Sequence, residues 1–264
     1  MEEIIVKKFK VIEKQYHIRI LLAVESGSRA WGFESAGSDY DVRFIYIHSP
    51  EWYLSIDPQG FGSKKDVIAY PIDENLDISG WEITKALRLF RKSNPTILEW
   101  LRSDLVYLQN PSFVNRLRML ETNFFNPVPI LHHYFNLAKG NYKKYFQGKV
   151  VKIKIYFYVL KSLLACVWIE KNKSFPPVRI QDLFSLMDDK KVKQEVEQLV
   201  KLKHLGEDKV SSADYPATNE YIETNFLSIQ QSLSSQKVEQ VHVTDQLDQL
   251  FRATLSTVWC SKQG

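Results

Sequence analysis

Apolar positions in residues 2–15 (Ile4, Ile5, Phe9, Val11 and Ile12) recur near helical spacing, and residues 17–24 then form a mostly apolar, β-rich run. The pattern predicts a helix followed by a strand. Residues 26–32 are small and polar enough for a turn leading into a brief helix, and 40–47 return to a β-branched and aromatic pattern, a second strand. Residues 65–70 and 75–79 are two further strand candidates, separated by Pro71 and an acidic turn. From 80 to 91 the positions of Trp81, Ile83, Ala86, Leu87, Leu89 and Phe90 predict a helix, and Asn94-Pro95 starts another that runs through Trp100.

The strand pattern stops by about residue 108. Beyond it, residues 128–146, 152–168, 192–204, 218–233 and 244–258 carry helical periodicity with polar faces, while 175–177 and 205–216 read as loops. The expected architecture is α+β: a mixed sheet with flanking helices over residues 1–125, followed by an all-helical domain over 126–264.

Composition narrows the class. A chain of 264 residues that is 44% hydrophobic and 25% charged can bury a sizeable core, which excludes a disordered tail. The 35 basic against 31 acidic residues leave a net charge of +4, compatible with a polyanionic partner but too small to identify one. Cys166 and Cys260 form no C-x-x-C pair, so neither zinc nor a disulfide framework is expected, and a reducing cytoplasm fits. The first residues lack the order of a secretory signal and no apolar run is long enough for a membrane span, so a soluble cytoplasmic protein is expected.

The chemistry concentrates in residues 25–44. Gly27-Ser28 falls where a strand turns into a short helix, which lets backbone N–H groups and the Ser28 hydroxyl reach phosphate oxygens without an intervening side chain. Asp39 and Asp41 alternate on the next strand, which directs both carboxylates to one face, and Arg43 shares that alternation. Two carboxylates on one face repel unless a cation lies between them. A divalent metal supplies that cation, and phosphoryl transfer uses a pair of Mg²⁺ ions about 3.5–4 Å apart to activate an attacking oxygen and neutralise the leaving pyrophosphate. Asp77, in a further strand candidate, is the candidate third carboxylate and base near the attacking hydroxyl, with Glu74 and Glu82 competing for that role.

Ser26-Gly27-Ser28-Arg29-Ala30-Trp31-Gly32 followed by Ser38-Asp39-Tyr40-Asp41-Val42-Arg43 resembles the signature of the RlaP nucleotidyltransferases, RNA-ligase-associated proteins of polymerase-β type. The likeness continues through Asp77-Ile78-Ser79-Gly80-Trp81-Glu82, Lys85-Ala86-Leu87-Arg88-Leu89, Asn94-Pro95 and Leu98-Glu99-Trp100, and more loosely through residues 154–165. In that last stretch Lys161 stands where an Arg is expected, a point charge in place of a bidentate fork. The resemblance implies a nucleotidyltransferase fold and metal-dependent transfer of a nucleotidyl group from a nucleoside triphosphate, with RNA repair or end modification as its setting. The alternative is a non-catalytic module that holds a nucleotide, nucleic acid or protein on the same fold.

Lys154 and Lys161 lie seven apart, nearly two helical turns, and are candidate triphosphate contacts on one helix face. Trp31 and Trp81 are read first as core and second as base-stacking platforms. The mixed stretch 141–156 interleaves lysines with Tyr142, Tyr145 and Tyr156, a pattern that suits a nucleic-acid backbone but also suits lysine stems covering an apolar helix face. His132 and His133 are read as structural, and no nucleophilic cysteine or Ser-His-Asp set emerges.

Overall fold

The computed structural model describes residues 1–57, 65–70, 75–146, 148–233 and 244–259. It is a mixed α+β structure in two compact units: the first comprises Met1–Gly27, Asp39–Phe125 and the C-terminal segment from residue 240, the second Ser28–Ser38 and Asn126–Glu239.

The first unit is built on a five-stranded sheet in the order β3-β4-β2-β1-β5. Its strands are β1 (Ile18–Ser26), β2 (Tyr40–His48), β3 (Val67–Tyr70), β4 (Leu76–Glu82) and β5 (Val106–Gln109). β1 pairs antiparallel with β2 and β5, β3 pairs antiparallel with β4, and β2 and β4 run parallel. On one face lies α1 (Glu2–Tyr16), whose apolar stripe buries Ile5, Phe9 and Ile12 against Ile18, Ile20, Val42, Phe44 and Tyr46. α1 stops where His17 takes the left-handed conformation, φ 52°.

β4 runs past the expected end at residue 79 to Glu82, so the next helix starts three residues later than its pattern predicts. Two residues explain the extension. A Cβ on Gly80 would lie 2.2 Å from the Phe44 ring, so only glycine lets β4 close on β2 there. Glu82, fully buried, accepts hydrogen bonds from the backbone N–H of Thr84 (2.8 Å) and Lys85 (3.3 Å), capping α4 (Ile83–Arg91).

Three later helices open on the same dipeptide. Asn94-Pro95 starts α5 (Pro95–Leu101), Asn110-Pro111 starts α6 (Pro111–Phe124) and Asn126-Pro127 starts α7 (Pro127–Tyr145). In each, the Asn side chain accepts from a backbone N–H of the first turn and proline occupies the position whose N–H has no helical partner. A short helix α3 (Pro50–Tyr53) follows β2.

The second unit is mostly helical. α8 (Ile153–Asn172) is buried along most of its length by α7, α10 (Lys190–His204) and α11 (Pro216–Leu233), and the short α9 (Ile180–Leu183) packs beside it. Among the described residues, no helix is long and apolar enough to cross a membrane. Within the stretches expected as all helix and loop, β6 (Val150–Lys152) and β7 (Lys209–Ser211) form a two-stranded antiparallel ribbon. Three residues per strand are too few for a period-two pattern to stand out.

α2 (Gly27–Trp31) follows β1 directly, and the chain from Ser28 to Ser38 belongs to the second unit, where Phe33 stacks on Phe157 at 4.9 Å and Gln181 donates to the Gly32 carbonyl. The last helix, α12 (Asp245–Trp259), groups with the sheet unit and not with the helical segment expected over 126–264. Its apolar stripe buries Leu247 and Leu250, Phe251 meets Tyr53 edge-on at 4.9 Å, and Gln246 accepts from Asn123 at 3.0 Å. Periodicity reveals that stripe but not the surface that covers it.

Candidate active site

β1 ends at Ser26 and the backbone turns at Gly27 with φ 63°. The antiparallel register sets Ser26 opposite Asp41, and a Cβ on Gly27 would lie 2.3 Å from the Asp41 Oδ2. The left-handed backbone favours glycine, and a side chain there would also displace the Asp41 carboxylate. The sequence motif reads as a turn open to phosphate; the close neighbour within this unit is one of the acidic residues.

β2 and β4 pair in parallel with Asp41 directly opposite Asp77. Val42 and Ile78, the next residues, are buried in the core, so alternation turns both carboxylates to the other face. Arg43 joins them there: its Nη2 donates to Asp41 Oδ1 at 3.1 Å and to Asp77 Oδ2 at 2.8 Å, and its Nη1 donates to the carbonyls of Val42 (3.1 Å) and Asp77 (3.2 Å). The side chains are partly open, at 33% for Asp41, 43% for Asp77 and 20% for Arg43. A cation-seeking pair of carboxylates is thus within reach of solvent, and the charge between them is a guanidinium.

Asp39 is exposed and lies one residue before β2 begins. Ser28 is buried at the head of α2 within the second unit, where its carbonyl accepts from the Phe33 N–H. Arg29 donates to the Ser38 carbonyl at 2.8 Å and so ties the two ends of this segment together. Of the residues competing with Asp77, Glu82 is the buried cap of α4 and also accepts from Tyr53 at 2.6 Å, while Glu74 lies outside the described residues.

Lys154 and Lys161 both sit on α8 in the second unit, but in opposite surroundings. Lys154 is exposed. Lys161 is 2% exposed, with its ammonium 4.1 Å from the Trp31 ring centroid and 5.4 Å from that of Tyr134. The two lysines expected to share one open helix face therefore differ, and the Lys161 ammonium lies against aromatic faces, an arrangement that stabilises a desolvated cation. Trp31 is accordingly part of an aromatic cluster with Phe33 and Tyr158, and Trp81 packs on Trp100 at 4.2 Å. In the 141–156 stretch Tyr156 is fully buried while Lys143, Lys144, Lys149 and Lys152 point outward. Burial pushes the Cys166 thiol above its ordinary range, which leaves it a poor nucleophile; Cys260 lies outside the described residues.

Glu25 is a site residue that motif reading passed over. It is 1% exposed; its Oε1 accepts from the Asp41 backbone N–H at 2.7 Å, its Oε2 accepts from the Tyr107 hydroxyl, and its carbonyl accepts from Ser103 at 2.8 Å. It fixes the backbone of Asp41 from behind and ties β1, β2 and β5 together. The available signal was a carboxylate closing the apolar run Ile20 to Val24, since a charged side chain is rarely fully buried without bonded partners.

Among the described residues, no group of three or more His, Cys, Asp or Glu side chains is gathered tightly enough to hold a metal ion. The donor chemistry nonetheless fits Mg²⁺: Asp41 and Asp77 are hard oxygen ligands already converging on one positive centre.

The mixed sheet thus presents two facing carboxylates beside a glycine turn. The RlaP family model, described as an RNA repair pathway DNA polymerase beta family, matches residues 1–253, and the chain belongs to this family. It is 45% identical over 260 residues to the uncharacterized protein YcgL of Bacillus subtilis (strain 168), covering 98% of each chain. A crystal structure of a nucleotidyltransferase-like protein from Exiguobacterium sibiricum 255-15 is similar at 13% identity and a TM-score of 0.30, over 96% of this chain and 90% of that one.

Proposed function

We propose that this protein is a metal-dependent nucleotidyltransferase that moves a nucleoside monophosphate from a nucleoside triphosphate onto an acceptor hydroxyl, with RNA as the acceptor. The observation that carries the reading is the register of Asp41 opposite Asp77, with both carboxylates on one cation. Membership of a family described by an RNA repair pathway supports RNA as acceptor.

Asp39, Asp41 and Asp77 would hold two Mg²⁺ ions, which supply neutralisation of phosphate charge and a more acidic acceptor hydroxyl. The residues do the rest. Asp77 takes the proton of the acceptor hydroxyl as its oxygen bonds to the α-phosphorus; the bond from that phosphorus to the bridging oxygen breaks, and pyrophosphate leaves with the electron pair. Arg43, displaced from the carboxylates, presents its fork to a phosphate. Gly27 offers its backbone N–H to the triphosphate, and Glu25 holds the Asp41 backbone in place.

A second reading is a module that binds without transferring, favoured by the guanidinium between the two carboxylates. One experiment decides. Each of the four ribonucleoside triphosphates, labelled at the α-phosphate, is incubated with Mg²⁺ and with RNA, protein or a metabolite pool. Label on RNA supports the proposal; label on protein or a metabolite overturns the acceptor assignment, and retention of nucleotide without transfer supports the module.

A further inference from the structure

We propose a second nucleic-acid contact at the end of the sheet remote from Asp41, where a basic cavity binds the phosphate backbone of single-stranded RNA; the choice of RNA rests on the function proposed above. The cavity, of about 610 Å³, is lined by Lys10, Glu13, Lys14, His17, Arg19, Ser49 and Trp259. A second cavity of about 600 Å³, lined by Lys10, Val11, Lys14 and Gln15, continues it along the outer face of α1. The two share Lys10 and Lys14, which are exposed and one helical turn apart, so their charges lie side by side.

Lys10, Lys14 and Arg19 outnumber the acids of this groove. Glu13 is its one acid, and its Oε1 is engaged by the Ile20 backbone N–H at 2.8 Å. Among the described residues, none of Lys10, Lys14 and Arg19 makes an ion pair with a carboxylate. Arg19 lies over the Trp259 ring, 5.0 Å from its centroid, and the Trp259 indole N–H is buried without a hydrogen-bond partner among the described residues. Lysines for phosphates and a guanidinium stacked on an aromatic ring are the parts with which proteins bind single-stranded nucleic acid. An acidic peptide would use the lysines but leave the aromatic platform without a role.

Position separates this groove from the carboxylates. Arg19 pairs with Ile47 and Ser26 with Asp41, seven residues along β1, which at about 3.3 Å per residue is roughly 23 Å. A stacked strand with one phosphate per ~3.4 Å needs about seven nucleotides to cover that distance. The groove would therefore hold the body of an RNA, and shorter strands would engage one site at a time.

The test is the anisotropy of an end-labelled single-stranded RNA of about twelve nucleotides, titrated with full-length protein at several salt concentrations and without metal or nucleotide. Comparison of wild type with Lys10→Ala/Lys14→Ala, two exposed changes on α1, should show about tenfold weaker binding and a salt slope shallower by about 1.4, from ~0.7 per lost phosphate contact. Trp259→Leu, which removes the aromatic ring, should weaken binding without changing that slope. Unchanged affinity and slope in the lysine variant would overturn the proposal, as would an acidic peptide of equal charge that displaces the RNA completely. The readout uses no catalysis, so a protein that transfers no nucleotide yet shows these shifts would contradict the proposed activity and leave the groove standing.

Discussion

Asp41 and Asp77 face each other across parallel strands and share one nitrogen of Arg43, 3.1 Å from the first carboxylate and 2.8 Å from the second. Two carboxylates in register on adjacent strands raise the energy of the sheet unless their charge is balanced. Arg43 provides that balance from within β2, so the pair persists without an external cation. The proposed metal would take the place of Arg43 between them.

Arg43→Ala should expose this exchange. The ion pairs are a fifth to two-fifths exposed, so solvent screening limits their worth to below about 1 kcal/mol, or a melting shift of roughly 2–4 °C in a chain of this size. Melting of the variant should fall by that amount without metal, and Mg²⁺ should raise it further than it raises wild type. Scanning calorimetry with and without Mg²⁺ measures both shifts; identical shifts in the two proteins would contradict the exchange.

Gly27→Ala should lower activity more than stability. A left-handed alanine costs about 1–2 kcal/mol, whereas a carboxylate pushed about an ångström from its place can cost on the order of 10²-fold in rate. The new methyl would arrive 2.3 Å from Asp41 Oδ2. Transfer rates and chemical unfolding of the same variant separate the two effects, and an alanine with full activity would show that Asp41 need not stay where it is.

Glu25→Ala should destabilise the protein by about 1–3 kcal/mol, because the Asp41 amide and the Tyr107 hydroxyl lose their acceptor in a buried place. Glu25→Gln keeps one acceptor oxygen and should recover part of the loss. Urea unfolding of the three proteins checks the order wild type, Gln, Ala; equal midpoints would remove Glu25 as a support of the site.

Lys161→Ala is expected to act on folding. As a triphosphate contact in solvent, Lys161 would on truncation raise the apparent Michaelis constant and spare stability. Buried against Trp31 and Tyr134, the side chain leaves a void and two empty ring faces when removed, at a cost of about 2 kcal/mol or more. Thermal melting measures this, and an unchanged transition with weaker nucleotide binding would restore the first expectation.

The elements that hold the site were legible because their signals are local. The apolar run before Gly27, the alternation through Asp41 and Arg43 and the Asn94-Pro95 cap each announce their structure over a few residues. Relationships between distant segments were not. Nothing local pairs Asp77 with Asp41 or brings Tyr107 to Glu25, since both depend on strand order. β5 has only four residues, and α12 carries an apolar stripe that does not say which unit covers it. The burial of Lys161 depends on where α2 places Trp31, which spacing along α8 cannot reveal.

The central claim is that Asp41 and Asp77 form the acidic site of a nucleotidyltransferase. Its most direct measurement is Mg²⁺-dependent transfer of α-phosphate label to RNA by wild type and Asp41→Asn, side by side, with melting recorded for both. The account predicts label with wild type and a loss of at least about 10²-fold in the variant at nearly unchanged melting, because the amide keeps the volume and loses the charge. Equal transfer by both proteins would contradict it.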